Sequence, residues 1–84
     1  MAETIDWKLV AKATLHPMQV EILEAVAARD RLSPVQFRQQ DDSVSRVAYH
    51  FRALNKAGLL APAGTTPRRG ATEHFYRLAD NIRG

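Results

Sequence analysis

The sequence predicts a mainly α fold with a small β-hairpin, an α+β class, on three observations. Apolar residues recur at helical spacing in the segments before Gly58. Gly58 follows the longest of these runs, where a left-handed helix cap calls for glycine. After it the pattern changes to the two-residue period of strands. With 84 residues the chain has room for one domain, 1–84, and not for two independent cores. A content of 45% hydrophobic and 25% charged residues suits a modest core under an ordinary polar surface.

The elements follow in order. Ile5, Leu9, Val10 and Ala13 predict a first helix over about 4–13, with Trp7 on another part of its circumference. Pro17 suits a first helical turn, His16 reads as its start residue, and Met18, Ile22, Leu23 and Val26 mark the buried stripe of a helix over about 17–29. In Leu32-Ser33-Pro34-Val35-Gln36-Phe37, Ser33 and Gln36 make a capping box, Pro34 fits the first turn, and Leu32 with Phe37 form a hydrophobic staple. This third helix, about 33–40, is short because Gln39-Gln40-Asp41-Asp42-Ser43 is polar and ends in fresh capping residues. From Ser43 the apolar positions Val44, Val47, Ala48, Phe51 and Leu54 share one face of a helix over about 43–57, and Leu59 is placed to meet Leu54 across a Schellman cap at Gly58. Leu59-Leu60-Ala61 then reads as a short strand, 62–70 as a loop with two prolines and two glycines, and Thr72 to Leu78 as the return strand of a hairpin over about 59–78. On that strand Thr72, His74, Tyr76 and Leu78 share a face, which predicts a buried or half-buried His74.

Composition narrows the function classes. The chain has no cysteine, which excludes disulfides, thiolate metal sites and cysteine nucleophiles. No apolar run is long enough to span a bilayer, and Glu3, Asp6 and Lys8 stand where a signal peptide is apolar, so a cytoplasmic location without membrane contact is expected. The formal charge of +3 is unevenly spread: residues 1–42 hold five cations and seven anions, and residues 43–84 hold seven cations and two anions. A basic half on a small domain is the footprint of a polyanion binder or, more blandly, an arginine-rich solvated surface. No glycine-rich phosphate loop and no nucleophile elbow are present, and the pair Asp41-Asp42 sits where carboxylates cap a helix start. An enzyme is therefore not expected, nor any cofactor.

A short helix, a polar link and a cleanly capped amphipathic helix are the sequence form of a helix-turn-helix. With the basic hairpin behind them, the residues resemble the ArsR-type branch of the winged helix-turn-helix superfamily. The resemblance is carried by His16-Pro17 leading into Ile22-Leu23, by Tyr49-His50-Phe51-Arg52-Ala53-Leu54-Asn55-Lys56-Ala57-Gly58-Leu59-Leu60, and by Arg69-Gly70-Ala71-Thr72-Glu73-His74-Phe75-Tyr76-Arg77-Leu78. It covers about residues 5–79 and implies a prokaryotic or phage transcription regulator that places its recognition helix in the major groove of duplex DNA and its two- to three-stranded wing on the flanking backbone. Two departures stand out: the cysteine pair of the family's metal sensors is missing, and only six residues follow Leu78, too few for the C-terminal dimerisation helix of many members. The N-terminal helix around Trp7 is left as the candidate homodimer surface.

If Val44, Val47, Ala48, Phe51 and Leu54 face the core, then at about 100° per residue Ser45, Arg46, Tyr49, Ala53 and Lys56 point outward, with His50 at the margin. The expected DNA-binding residues are Ser43, Ser45, Arg46, Tyr49, His50, Lys56, Arg68 and Arg69. Arg46 suits a bidentate contact to guanine, Ser43 and Ser45 suit phosphate or adaptable base contacts, and Tyr49 suits a sugar or thymine methyl. Arg68 and Arg69 suit the backbone or minor groove. His50 has three readings, a structural hydrogen bond, a DNA contact or a metal ligand. The competing function is a winged-helix protein-interaction module without DNA binding.

Overall fold

The computed structural model describes residues 4–11, 13, 15–37 and 43–84. Among them run α1 (Trp7–Val10), α2 (Pro17–Arg29), α3 (Pro34–Phe37), α4 (Val44–Lys56), an antiparallel hairpin of β1 (Leu60–Arg68) and β2 (Ala71–Leu78), and a closing 3-10 turn, Asp80–Ile82. The class is α+β, with four α-helices and one hairpin among the described residues.

The first helix is shorter than expected. Ile5 bridges Arg83, the Asp6 N–H donates to Ile82 O at 2.7 Å, and the Gly84 N–H donates to Thr4 O at 2.7 Å. The chain end thus holds 4–6 in extended pairing, and α1 begins only where Asp6 Oδ1 accepts from the Lys8 N–H. Of the four residues whose spacing predicts the helix, Leu9 and Ala13 are exposed, whereas Ile5 and Val10 are buried.

α2 spans the expected residues. Pro17 opens it, His16 Nδ1 accepts the Met18 N–H at 3.0 Å, and Gln19 Oε1 accepts the His16 N–H at 3.1 Å. Ile22, Leu23 and Val26 are wholly buried. The capping box at α3 forms in both directions: Gln36 N–H donates to Ser33 Oγ, and Ser33 N–H donates to Gln36 Oε1. The expected end of this helix, 38–40, lies outside the described residues, as do Asp41 and Asp42.

α4 starts where Ser43 Oγ accepts the Arg46 N–H and ends on a full Schellman motif. Gly58 has φ +83°, its N–H donates to Asn55 O, and the Leu59 N–H donates to Leu54 O at 2.9 Å. That cap turns the chain from α4 into β1 and buries Leu54 and Leu59 together.

The hairpin departs most from expectation. Residues 62–68, expected as loop, continue β1, and the reversal is the two-residue turn Arg69-Gly70 between paired Arg68 and Ala71. Both strands of a two-stranded ribbon are edges, where proline costs no ladder bond if its nitrogen faces outward. Pairing shifts between Pro62 and Thr65, placing Ala63 and Gly64 opposite Phe75, and Gly64 takes φ +108° at this bulge. Leu32 exchanges two backbone hydrogen bonds of 2.9 Å with Tyr76, adding a one-residue third rung.

Phe51 lies at the centre of the core, 6.0 Å from the Phe37 ring and 5.4 Å from that of Tyr76, among Ile22, Leu23, Val47, Leu54, Leu60 and Leu78. Val44, expected inside, is 38% exposed. His74, expected at least half-buried, is exposed. Tyr76 and Leu78, on its strand face, reach the core, whereas the distal part of β2 runs past the helices and leaves Thr72 and His74 outside.

Candidate nucleic-acid interface

The burial of α4 rotates the helix relative to the sequence expectation. Its buried residues are Val47, His50, Phe51 and Leu54. With Val44 out and His50 in, the inward direction turns by about 45° on a wheel of about 100° per residue. The outward stripe becomes Ser45, Tyr49, Arg52 and Lys56, spaced i, i+4, i+7, i+11, and all four are exposed. Tyr49 stands 61% exposed, its ring edge-on to His50. Arg46 is exposed but lies at the margin, on the side of His50.

His50 is a correction: it belongs to the interior, 8% exposed, and is not a surface contact. Its Nδ1 lies 3.2 Å from Gln19 Nε2, and its ring is 4.7 Å from that of His16. Since Gln19 Oε1 already accepts the His16 backbone N–H, the amide nitrogen must donate, and His50 Nδ1 must accept without a proton. Burial, with the neighbouring charges of His16 and Arg46, accordingly lowers the His50 pKa below 6.5. The chain His16-Gln19-His50 ties the start of α2 to the middle of α4. The hydroxyl oxygen of Ser43 likewise serves as a helix cap, while Ser45 is exposed with its side chain outward.

On the hairpin the two adjacent arginines divide. Arg69 is exposed in the turn, whereas Arg68 donates Nε to Glu73 Oε1 at 2.8 Å. The Glu73 side chain is 2% exposed and also accepts from Ser33 Oγ, so a buried carboxylate links the start of α3 to the end of β1. The Ser33 hydrogen bond holds the Glu73 carboxyl below its usual range against its own burial, with help from Arg68 and Arg31. Arg31 lies on the same face of β2 as Glu73, 4.3 Å from the Phe75 ring centre and hydrogen-bonded to Ala63 O at the bulge. Arg77 and Arg83 both bind Asp80 Oδ1, and the Arg83 bond is the main cause of a lowered Asp80 pKa.

Between α4 and β2 lies an open groove of about 380 Å³, with Val44, Ala48 and Arg52 on one wall, Thr72 and His74 on the other and Pro34 and Val35 at one end. Neither this groove nor Arg52 is among the residues expected from sequence. Arg52 was legible once His50 is turned inward on the wheel; the groove depends on where the hairpin sits. Among the described residues no group of three or more metal-ligating side chains occurs, and no helix is long and apolar enough to cross a membrane.

The outcome is a surface in which the exposed stripe of a cleanly capped helix and a hairpin tip both carry cations without acidic partners among the described residues. No protein-family model matches the chain, and no curated protein or solved structure matches it either.

Proposed function

We propose that this chain is a winged helix-turn-helix protein that binds duplex DNA sequence-specifically as a small prokaryotic or phage transcription regulator in the cytoplasm, without catalysing a reaction. α4 acts as the recognition helix in the major groove, and the hairpin acts as a wing on the backbone or minor groove. The observation that carries this reading is the placement of charge. Arg52 and Lys56 stand on the exposed stripe of α4, Arg46 flanks it and Arg69 sits at the hairpin turn, whereas Arg68, Arg77 and Arg83 are engaged by Glu73 and Asp80. Among the described residues Lys8 on α1 and Arg29 on α2 are also exposed without an ion pair, so what supports the reading is the grouping of four such cations on α4 and the hairpin turn. Within the reading, Arg52 takes over the guanine contact first expected of Arg46, because it lies nearer the middle of the outward stripe; Arg46 serves phosphate. Ser45 and Tyr49 complete the base-facing row.

A two-fold dimer joined through the N-terminal segment fits the exposure of Trp7 (43%) and Leu9 (46%) on α1. Half-sites then lie about 10 to 10.5 base pairs apart or a multiple of that. The test is titration of fluorescent random-sequence duplex at low and moderate salt. Salt-dependent binding is expected; its absence sinks the proposal in favour of a protein-interaction module. Sedimentation of the Trp7→Ala chain beside wild type tests the dimer, which fails if the two sediment alike.

A further inference from the structure

An open cleft of about 430 Å³ lies where the end of α2, α3 and β2 meet, lined by Arg29, Arg31, Gln36 and Phe75. It shares no residue with α4 or the hairpin turn. Its three polar side chains all present donors. Arg29 is exposed and has no ion pair among the described residues. Arg31 is held before any ligand arrives: Nη1 donates to Ala63 O at 3.2 Å and the guanidinium lies 4.3 Å from the Phe75 ring centre, which leaves its other N–H groups unpaired. Gln36 Oε1 accepts the Ser33 N–H, so the amide nitrogen is the free end of that side chain. No carboxylate lines the cleft among the described residues. Glu73, whose charge Arg31 helps to hold, is 2% exposed and taken up by Ser33 and Arg68.

We propose that this cleft binds a small-molecule oxyanion, a phosphate or carboxylate group clamped between Arg31, the fixed half of the site, and Arg29, the closing half. Two guanidinium groups lining one concavity without an acid repel each other, and an oxyanion between them removes that repulsion. Its oxygens also accept from the Gln36 amide, which a cation or a neutral donor could not do. The volume selects the size of the ligand, since small-molecule sites run from about 300 to 1,000 Å³. The site stands apart from the proposed DNA-binding surface and does not depend on it.

The test titrates the full chain with pyrophosphate and with citrate, one probe for each oxyanion, against sodium chloride at matched ionic strength. The Nε–H signals of the arginines and the side-chain amide of Gln36 are followed by nitrogen-15 NMR. Either probe should give saturable shifts at Arg29, Arg31 and Gln36 that chloride does not give. Arg29→Gln, whose circular dichroism should match wild type because the side chain is exposed, should weaken that binding about tenfold, the loss of one charge-assisted contact. Lys8→Gln removes the same charge outside the cleft and should leave the Kd unchanged. Shifts that never saturate, that chloride reproduces, or that Lys8→Gln and Arg29→Gln weaken alike mean general charge attraction and overturn the proposal. Random-sequence duplex should leave Arg29 and Arg31 unshifted whether or not it binds elsewhere. A duplex that shifts them assigns the cleft to the DNA backbone and overturns the proposal, while the reading of α4 stands.

Discussion

Under the proposed function, the salt dependence of duplex binding reports which cations the fold leaves available. Residues 43–84 contain seven lysines and arginines, and if all met phosphate the slope of log K against log salt would be about −6 per subunit. The fold withdraws three of them: Arg68 is held by Glu73, and Arg77 and Arg83 by Asp80. Arg46, Arg52, Lys56 and Arg69 have no ion pair among the described residues. About four phosphate contacts give a slope of about −3.6 per subunit. Between about 50 and 200 mM salt that slope loses roughly 150-fold in affinity, whereas the steeper one loses several thousandfold. Anisotropy of a labelled duplex separates the two in one titration. Single substitutions sharpen the comparison: Arg69→Ala should flatten the slope by about 0.9, Arg68→Ala should leave it nearly unchanged, and Glu73→Gln should steepen it by up to about 0.9 as Arg68 is released. A slope near −6, or equal responses to Arg68→Ala and Arg69→Ala, refutes the assignment of Arg68 to Glu73. A slope near zero refutes DNA binding itself.

Three further outcomes concern the fold. Phe51→Ala should cost about 3 to 5 kcal/mol in urea denaturation, a large share of the roughly 4 to 12 kcal/mol available to a chain of this size, because the wholly buried ring touches both Phe37 and Tyr76. Gly58→Ala should cost about 1 to 2 kcal/mol. A Cβ there meets nothing within 4 Å, so the loss comes from φ +83° alone, and Gly58→Asn should lose less. Acid should destabilise the chain in two stages. With the His50 pKa lowered, the unfolded state takes up that proton first, so its contribution is full above pH 6.5 and is lost as pH falls through the folded value. The lowered Glu73 carboxyl contributes fully above its ordinary 4.5 and is lost below that, as pH falls through its folded value. His50→Gln, which keeps an acceptor for Gln19, should remove the first stage from a plot of urea midpoint against pH; an unchanged profile would assign that stage elsewhere.

The helix signals were legible because they are local. The boxes at His16 and Ser33, the cap at Ser43 and the Schellman turn at Gly58 each involve residues within five positions of one another, and the backbone satisfies its own orphan groups there whatever the rest of the chain does. The misjudged segments depend on distant partners. Thr4 to Asp6 pair with 82–84, which no periodicity near the N-terminus announces, and they cut the first helix to Trp7–Val10. Prolines at 62 and 67 read as loop, yet the two-stranded ribbon gives them edge positions, and Arg31 secures the bulge from 32 residues away. Nothing near Glu73 in the sequence announces that it is a buried carboxylate, because its partners Ser33 and Arg68 come from different elements.

The site was half legible for a related reason. An amphipathic helix of 13 residues has its core direction set by few side chains, and α4 places alanine, histidine and valine at the margins, where hydrophobicity alone decides poorly. Assigning Val44 inside and His50 outside points the helix at Arg46. The reverse assignment, which the hydrogen bond between Gln19 and His50 accompanies, points it at Arg52 and opens the groove along Val44 and Ala48. A polar residue with a built partner can go inside at little cost, and its burial releases an apolar residue to the surface. Under the proposed function, the choice of base-reading arginine therefore turns on a glutamine three positions after His16 on another helix. Exchanging His50 for leucine would fill the interior but leave the Gln19 amide without its acceptor. If α4 is set by that bond, the rotation should relax and guanine preference should shift from Arg52 toward Arg46; an Arg52 contact that survives unchanged would mean that packing of Val47, Phe51 and Leu54 alone sets the helix.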